Sequence, residues 1–368
     1  MKFICSQGAL SRALNTVSKA VSLKTTIPIL KGIKLSVKDN VLTLTASNLD
    51  MSIETTLDVS SGENGTAVVS ARFFSDIVRK LPNALVTVNL EEGKLNVKCL
   101  GSDFSIVALS ADEFPDMGRF DSENKIEINK EILKDIIKKT TFAASIDEKK
   151  GVLVGCLFDF KENLLEVASL DGFRMAVVKR EIENSEERKV IIHYAILNEI
   201  QKILMESPEE GNIEIIPGDK KIELIIGETR VVARKLEGDF INYKDILPKD
   251  YKTRCVVERE ELFYAIERAS LFAREGKNRL IKMYFEDSEI EINSRNEQGK
   301  VKEILSADIE GESLAIGFNA GYLLDVLKVV GDSEIVLQMS SPTGPCIIRP
   351  LEGDAYTYLV LPVRISVN

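Results

Sequence analysis

Residues Lys125 to Phe142 read KIEINKEILKDIIKKTTF, and the period of their apolar positions changes partway along. Ile126 and Ile128 alternate as in a half-buried strand, after which Ile132, Leu133, Ile136 and Ile137 return at helical spacing along one face. A short strand therefore feeds an amphipathic helix, with Lys130, Lys134 and Lys138 four apart on the face turned from the core. The same layout opens the chain as KFICSQGALSRALNTVSKA from Lys2 and recurs as RCVVEREELFYAIERASLF from Arg254. Phe3, Ile126 and Cys255 then fall in register, as do Leu10, Leu133 and Leu262.

A second strand-helix unit repeats on nearly the same period. VVSARFFSDIVRKL (Val68 to Leu81), VIIHYAILNEIQKIL (Val190 to Leu204) and IGFNAGYLLDVLKVV (Ile316 to Val330) align without gaps through their helices, matching Asp76, Glu199 and Asp325. Amphipathic helices resemble one another by chance, but a common spacing for two different units points to an internal repeat. In a chain of 368 residues that period selects three domains, at residues 1–118, 125–243 and 253–368.

Between the helices lie hairpins. Ile33 to Val37 and Val41 to Ala46 alternate around Asp39-Asn40, and LVTVNLEEGKLNVKCLGSDFSIVAL turns at Glu92-Gly93 and Gly101. FPDMGRFDSEN (Phe114 to Asn124) and FINYKDILPKDYKT (Phe240 to Thr253) read as linkers. Six strand-helix-strands units predict an α+β fold with sheets in one layer and helices in another.

The 44% hydrophobic and 29% charged content is that of an ordinary globular protein, and no apolar run approaches the roughly 20 residues that cross a bilayer. The N-terminus lacks the apolar core and cleavage site of a signal peptide, so an intracellular protein is expected. Five scattered cysteines fit neither a disulfide framework nor a metal site and read as reduced core residues. A net charge of −10 weighs against nucleic acid, which is bound through lysines and arginines that neutralise phosphates. Charge is segregated, however: residues 1–38 hold Lys2, Arg12, Lys19, Lys24, Lys31, Lys34 and Lys38 and no acid.

The sequence shows no set of residues equipped for catalysis. The single histidine, His193, stands at a strand-to-helix step with no partner set and reads as a capping or surface residue. GK at Gly276 lacks the upstream glycine and the following hydroxyl of a phosphate loop, and acidic pairs such as Glu91-Glu92 and Glu209-Glu210 read as solvated faces. No catalytic residue, metal or cofactor is expected, which disfavours a three-repeat enzyme.

TIPILKGIKL (Thr26 to Leu35), ASLDGFRMAV (Ala168 to Val177), IGFNAGYLLDVL (Ile316 to Leu327) and YLVLPVRI (Tyr358 to Ile365) together give the whole chain a close resemblance to the bacterial DNA polymerase III beta subunit, the sliding clamp. The resemblance implies a DNA clamp fold of three like domains. Two protomers would pair head to tail into a ring, helices lining the hole and sheets outside, closed around double-stranded DNA that is held without reading sequence. It implies a non-catalytic processivity factor in the cytoplasm, on the nucleoid. Its partners would be the replicative polymerase alpha subunit, the clamp loader, and other polymerases and repair proteins, bound through short linear motifs. The alternative is a three-repeat protein-binding scaffold that does not encircle DNA.

Carried over residue by residue, the resemblance places DNA contacts at Lys24, Arg72, Arg79, Lys149 and Lys150, to which the helix face adds Lys130, Lys134 and Lys138. The HYA of His193 to Ala195 departs from the family pattern and weakens contact by the fourth helix. A peptide cleft would be lined by Leu153, Leu170, Gly172, Phe173, Arg174, Met175, Ile241, Ile246, Pro345, Val360, Leu361, Pro362, Val363 and Arg364. Aliphatic walls with a flexible methionine suit a groove that accepts related peptides. Ile241, Asp245 and the extension Ser366 to Asn368 depart from the pattern and bear on motif preference. At the dimer interface Phe104 would meet Leu271 and Phe272, with Asp103 on one edge and Lys300 and Lys302 on the other keeping charge complementarity.

Overall fold

The computed structural model describes residues 1–22, 24–118, 120, 125–184, 187–208, 210–273 and 279–364. Part of the first linker, the GK at Gly276 and the extension Ser366 to Asn368 lie outside the described residues. Among those described are six α-helices: α1 (Gln7–Ser18), α2 (Ala71–Lys80), α3 (Lys130–Thr140), α4 (Tyr194–Glu206), α5 (Arg259–Ala273) and α6 (Ala320–Val329). Each begins at the residue after the end of a strand, as the repeat predicts. The register residues are core: Phe3, Ile126, Cys255, Leu10, Leu133 and Leu262 are all buried. Each such side chain contributes roughly 2 kcal/mol by leaving water.

Local chemistry starts these helices. Ser6 Oγ accepts from the Ala9 amide at 3.3 Å at the head of α1, and Asn319 Oδ1 accepts from Gly321 at 2.9 Å at the head of α6. His193 caps α4 through its ring, Nδ1 accepting from the Ala195 amide at 3.1 Å. The five cysteines are buried and unbridged, and burial pushes the Cys5 thiol up to about 11 and the Cys156 thiol up to about 12.

The chain folds as two compact units, Met1–Lys130 with Asn198–Lys235, and Glu131–Leu197 with Leu236–Asn368. The middle third of the chain contributes to both, because sheet hydrogen bonds run across the repeat boundaries. In the first unit the strand Met51–Asp58 pairs antiparallel with Thr229–Arg234 inside a 13-stranded sheet. In the second, Arg174–Glu181 pairs with Tyr356–Val360 inside a nine-stranded sheet, beside a four-stranded sheet formed from residues 280–319.

The turns that launch these strands repeat in atomic detail. Asn48 Oδ1 accepts from the amides of Asp50 and Met51, Asp171 Oδ1 from those of Phe173 and Arg174, and Asn296 Oδ1 from those of Gln298 and Gly299. A short Asx side chain mimics a backbone turn in all three. The strands that follow, Met51–Asp58, Arg174–Glu181 and Gly299–Ser306, are therefore equivalent. Only the first two have a partner on their outer side. Gly299–Ser306 pairs with Glu289–Asn296 alone, and its other edge is open among the described residues.

A second open edge lies in the first unit. Ser102–Leu109 pairs along its length with Lys94–Cys99, but on the other side meets Gly65–Ser70 only at Ala108 and Leu109. Its position in the repeat is that of Thr229–Arg234, because Phe104 opposes Val97 as Val231 opposes Leu224.

Candidate functional site

Every residue assigned to the cleft lies in the second unit, and the fold brings them around one hydrophobic cluster. Leu170 and Met175 sit at the two sides of the Asp171 turn, and strand alternation turns both to the same sheet face as Leu157, Ala168 and Val177. The linker crosses that face: Leu236, Phe240, Tyr243 and Leu247 pack on it, with Leu153. Apolar residues left over at the margin stay exposed, namely Phe173, Ile241, Ile246 and Leu361. Leu170, Met175 and Val360 are 5%, 2% and 0% exposed, so they are the floor and supporting core of a groove rather than its walls. Gly172, Arg364 and the half-buried Leu153, Pro345, Pro362 and Val363 complete the rim.

The C-terminal segment is held against the Asp171 turn by backbone. The Leu361 amide donates to the Phe173 carbonyl at 2.8 Å, and the Val363 amide to that of Gly317 at 2.8 Å. Gly172 takes φ of +92°, a conformation open to glycine, which exposes Phe173 at the turn's tip. The Phe173 ring stacks on Tyr322 of α6 at 6.2 Å between centroids, with Lys150 Nζ 5.5 Å from the Phe173 centroid. Arg174 lies beneath, its Cζ 4.7 Å from the Tyr322 centroid and 5.4 Å from that of Phe142. Nε meets Asp171 at 3.1 Å and Nη1 meets Asp325 at 2.5 Å. Arg174 is thereby a brace, its donors committed to two carboxylates. Asp171, Tyr322, Asp325 and Phe142 belong to this site and were missed in the sequence, although Asp325 had already emerged as a repeat-aligned position.

Of the residues assigned to DNA, Lys24, Arg72, Lys138 and Lys149 are exposed and carry no ion pair among the described residues. Arg79 is exposed and bonded to Asp76 at 2.6 Å, and the half-buried Lys134 to Glu131 at 2.8 Å. One expectation changes. Lys130 is 8% exposed and its Nζ donates to the Ser207 carbonyl at 2.7 Å, so it is not on the open face. Its helical phase puts it at the first residue of α3, where the side chain points back over the preceding turn. Lys150 is exposed, and its Nζ donates to the Asp171 carbonyl at 2.6 Å, beside Phe173 at the groove rim. Basic residues predominate on α1 to α3. On α4, Glu199 is matched by Lys202 and Glu206 by Lys19, and α5 exposes Glu260, Glu261 and Glu267.

At the open edges, Phe104 and Leu271 are 40% and 54% exposed, and Phe272 is half-buried against Gly299. Asp103 pairs with Lys98 at 3.1 Å and Lys302 with Glu291 at 2.6 Å, while Lys300 is exposed. Among the described residues no group of histidine, cysteine and acidic side chains could hold a metal, and no helix is long and apolar enough to cross a membrane.

Three like domains of paired strand-helix units, with a groove where the chain's end docks, define a DNA clamp fold. The chain belongs to the DNA polymerase III beta subunit family: the models of its N-terminal, central and C-terminal domains match residues 1–118, 127–242 and 244–364. A Beta sliding clamp of Staphylococcus aureus is 34% identical over 376 residues, covering 99% of each chain. The DNA polymerase sliding clamp of Bacillus subtilis is 33% identical with a TM-score of 0.96 over 100% of both chains, and the beta subunit of Thermotoga maritima is 29% identical with a TM-score of 0.93 over 99% of this chain and 100% of that one. The chain is accordingly a sliding clamp subunit and not an enzyme.

Proposed function

We propose that two copies of this chain join head to tail into a ring that encircles duplex DNA in the cytoplasm and tethers the replicative polymerase, with the clamp loader and repair proteins docking at the groove. The observation that carries the proposal is the pair of open edges. Two of three equivalent strands are already joined to the last strand of a neighbouring repeat; among the described residues the third, Gly299–Ser306, has no such partner, and Ser102–Leu109 is the one repeat-final strand not joined to another repeat. Long open edges invite uncontrolled pairing, and closing a ring removes both. Carrying the registers Met51 to Ala233 and Arg174 to Val360 onto the third case sets Gly299 opposite Ile106 of the second copy, Val301 opposite Phe104, and Lys302 opposite Asp103.

Contacts to the phosphate backbone, which position a protein without reading bases and so allow sliding, suit the exposed Lys24, Arg72, Arg79, Lys138 and Lys149. The groove offers Phe173, Ile241, Ile246 and Leu361 to the apolar side chains of a short peptide, with Lys150 and Arg364 at its rim. Loading the protein on nicked circular DNA and then linearising the circle tests the reading. Retention on the circle with release on cutting is the expected result, and equal retention on both sinks encirclement.

A further inference from the structure

A buried carboxylate at the far end of the groove's core has no part in lining the groove. Glu166 is 3% exposed, on the same strand face as Ala168 and Leu170. The hydroxyl of Tyr243, itself 4% exposed, donates to Glu166 Oε1, and Lys161 Nζ and Lys244 Nζ lie 3.5 and 3.3 Å from the same oxygen. Lys161 also meets Asp159 at 3.3 Å. Tyr243 opens the single helical turn Tyr243–Ile246 of the linker and carries the linker's only hydroxyl in the hydrophobic cluster, next to Phe240 and Leu247.

An apolar residue at both positions would bury the same area without desolvating a charge, so a buried ionic network is a poor way to gain stability. What it adds is register. Phe240 and Leu247 are greasy anchors that tolerate sliding, whereas a phenol on a fixed carboxylate accepts one position of the linker. That position decides where Ile241 and Ile246, both exposed, stand at the groove.

We infer that Tyr243 and Glu166 form a latch that sets the linker wall of the groove, making both positioning residues for peptide binding although neither reaches the peptide. The inference rests on the reading of the groove as a peptide site and deepens it. Asn242 Nδ2 and Asp245 Oδ2, 2.6 Å apart, close the turn locally, the Leu236 amide ties the start of the linker to the Ile191 carbonyl at 2.9 Å, and Tyr243, with Lys244 beside it, ties the turn itself to Glu166.

The test compares full-length wild type with Tyr243→Phe, Glu166→Gln and the double variant. The probe is a fluorescein-labelled short peptide bearing a Leu-Phe pair, followed by anisotropy and stopped flow. Tyr243→Phe is expected to weaken binding about five- to tenfold through faster dissociation, with Glu166→Gln, which keeps an acceptor for the phenol, showing a smaller loss. The double variant should lose less than the product of the two single losses, because both changes act on the shared Tyr243–Glu166 bond, while the Lys161 and Lys244 pairs are weakened by Glu166→Gln alone. Hydrogen exchange supplies the ligand-free arm: amides of residues 240–248 should exchange at least tenfold faster in Tyr243→Phe, with those of Leu164 to Leu170 unchanged. Wild-type dissociation and exchange rates in Tyr243→Phe overturn the latch. Faster exchange with a wild-type protein that binds no peptide, or binds it equally after Leu361→Asp, leaves the latch standing and overturns the peptide site instead. Acceleration spread over the whole sheet marks general destabilisation and also overturns the latch.

Discussion

Arg174 and Asp325 stand 151 residues apart in sequence and 2.5 Å apart in space, joining the turn that bears Phe173 to the second turn of α6. Because Arg174 also spans two aromatic faces and Asp171, it does more packing than pairing. Arg174→Met is expected to cost about 2–3 kcal/mol, from two cation–π contacts and the stranding of Asp171, whereas Asp325→Asn, at a carboxylate 40% exposed and screened by water, should cost under about 1 kcal/mol. Calorimetry of the two variants orders the effects. Equal losses would show that the ion pair, not the stacking, holds the brace.

Pairing of the open edges predicts a register and not merely a dimer. Cysteines placed at Asp103 and Lys302 of one chain should form covalent dimers on mild oxidation, because these positions fall opposite one another when the observed registers are extended. Cysteines at Asp103 and Glu303 should not, since one step along a strand turns the side chain to the other face. The five native thiols are buried and give a silent background. Reversing charge at Lys300 and Lys302 should raise the dimer dissociation constant in sedimentation at low salt. An unchanged constant refutes the complementarity.

The repeat made the fold readable, since period-2 and period-3.6 patterns survive wherever one face is buried, and Leu10, Leu133 and Leu262 keep their place in the core. Asp39 and Asn40, at φ of 50° and 64°, form the expected two-residue hairpin turn. The site was readable only as far as its residues came with the resemblance. Lys130 reads as a surface lysine from spacing, yet a side chain at a helix start reaches back to whatever carbonyl the tertiary fold puts there. Asp171 and Asn296 are ordinary turn residues until their three-fold recurrence is seen in the hydrogen bonds. Glu166 alternates like any polar strand residue, and nothing local says that a tyrosine 77 positions later will cover it.

The latch should also leave a pH signature in stability. Burial raises the Glu166 pKa, but the Tyr243 hydroxyl and the two lysines outweigh it and hold the group below its ordinary 4.5. A depressed carboxylate stabilises the fold fully above its unfolded value and loses that contribution as pH falls through the folded value, so the loss begins below about pH 4.5. For Tyr243, burial first and the Glu166 carboxylate second push the phenol up from 10. A raised phenol stabilises below its unfolded value and loses the contribution as pH rises past about 10. Glu166→Gln should therefore flatten the acid limb of stability against pH. An acid limb identical to wild type would mean that other carboxylates govern it.

DNA contact should sort the lysines by their freedom to meet phosphate. Each cation that neutralises a phosphate releases counterions, so removing it should reduce the salt slope of DNA binding by about one and weaken all sequences alike. Arg72→Ala, Lys138→Ala and Lys149→Ala are each expected to do so, because nothing in the described fold competes for those charges. Lys130→Met should leave the slope untouched and instead cost about 1–2 kcal/mol of stability, since it removes the hydrogen bond from the ammonium to the Ser207 carbonyl. Lys150→Ala separates the two roles most sharply: with its ammonium on the Asp171 carbonyl and beside Phe173, it should weaken peptide binding while the salt slope for DNA stays at the wild-type value. A reduced slope for Lys150→Ala would return this residue to the DNA surface.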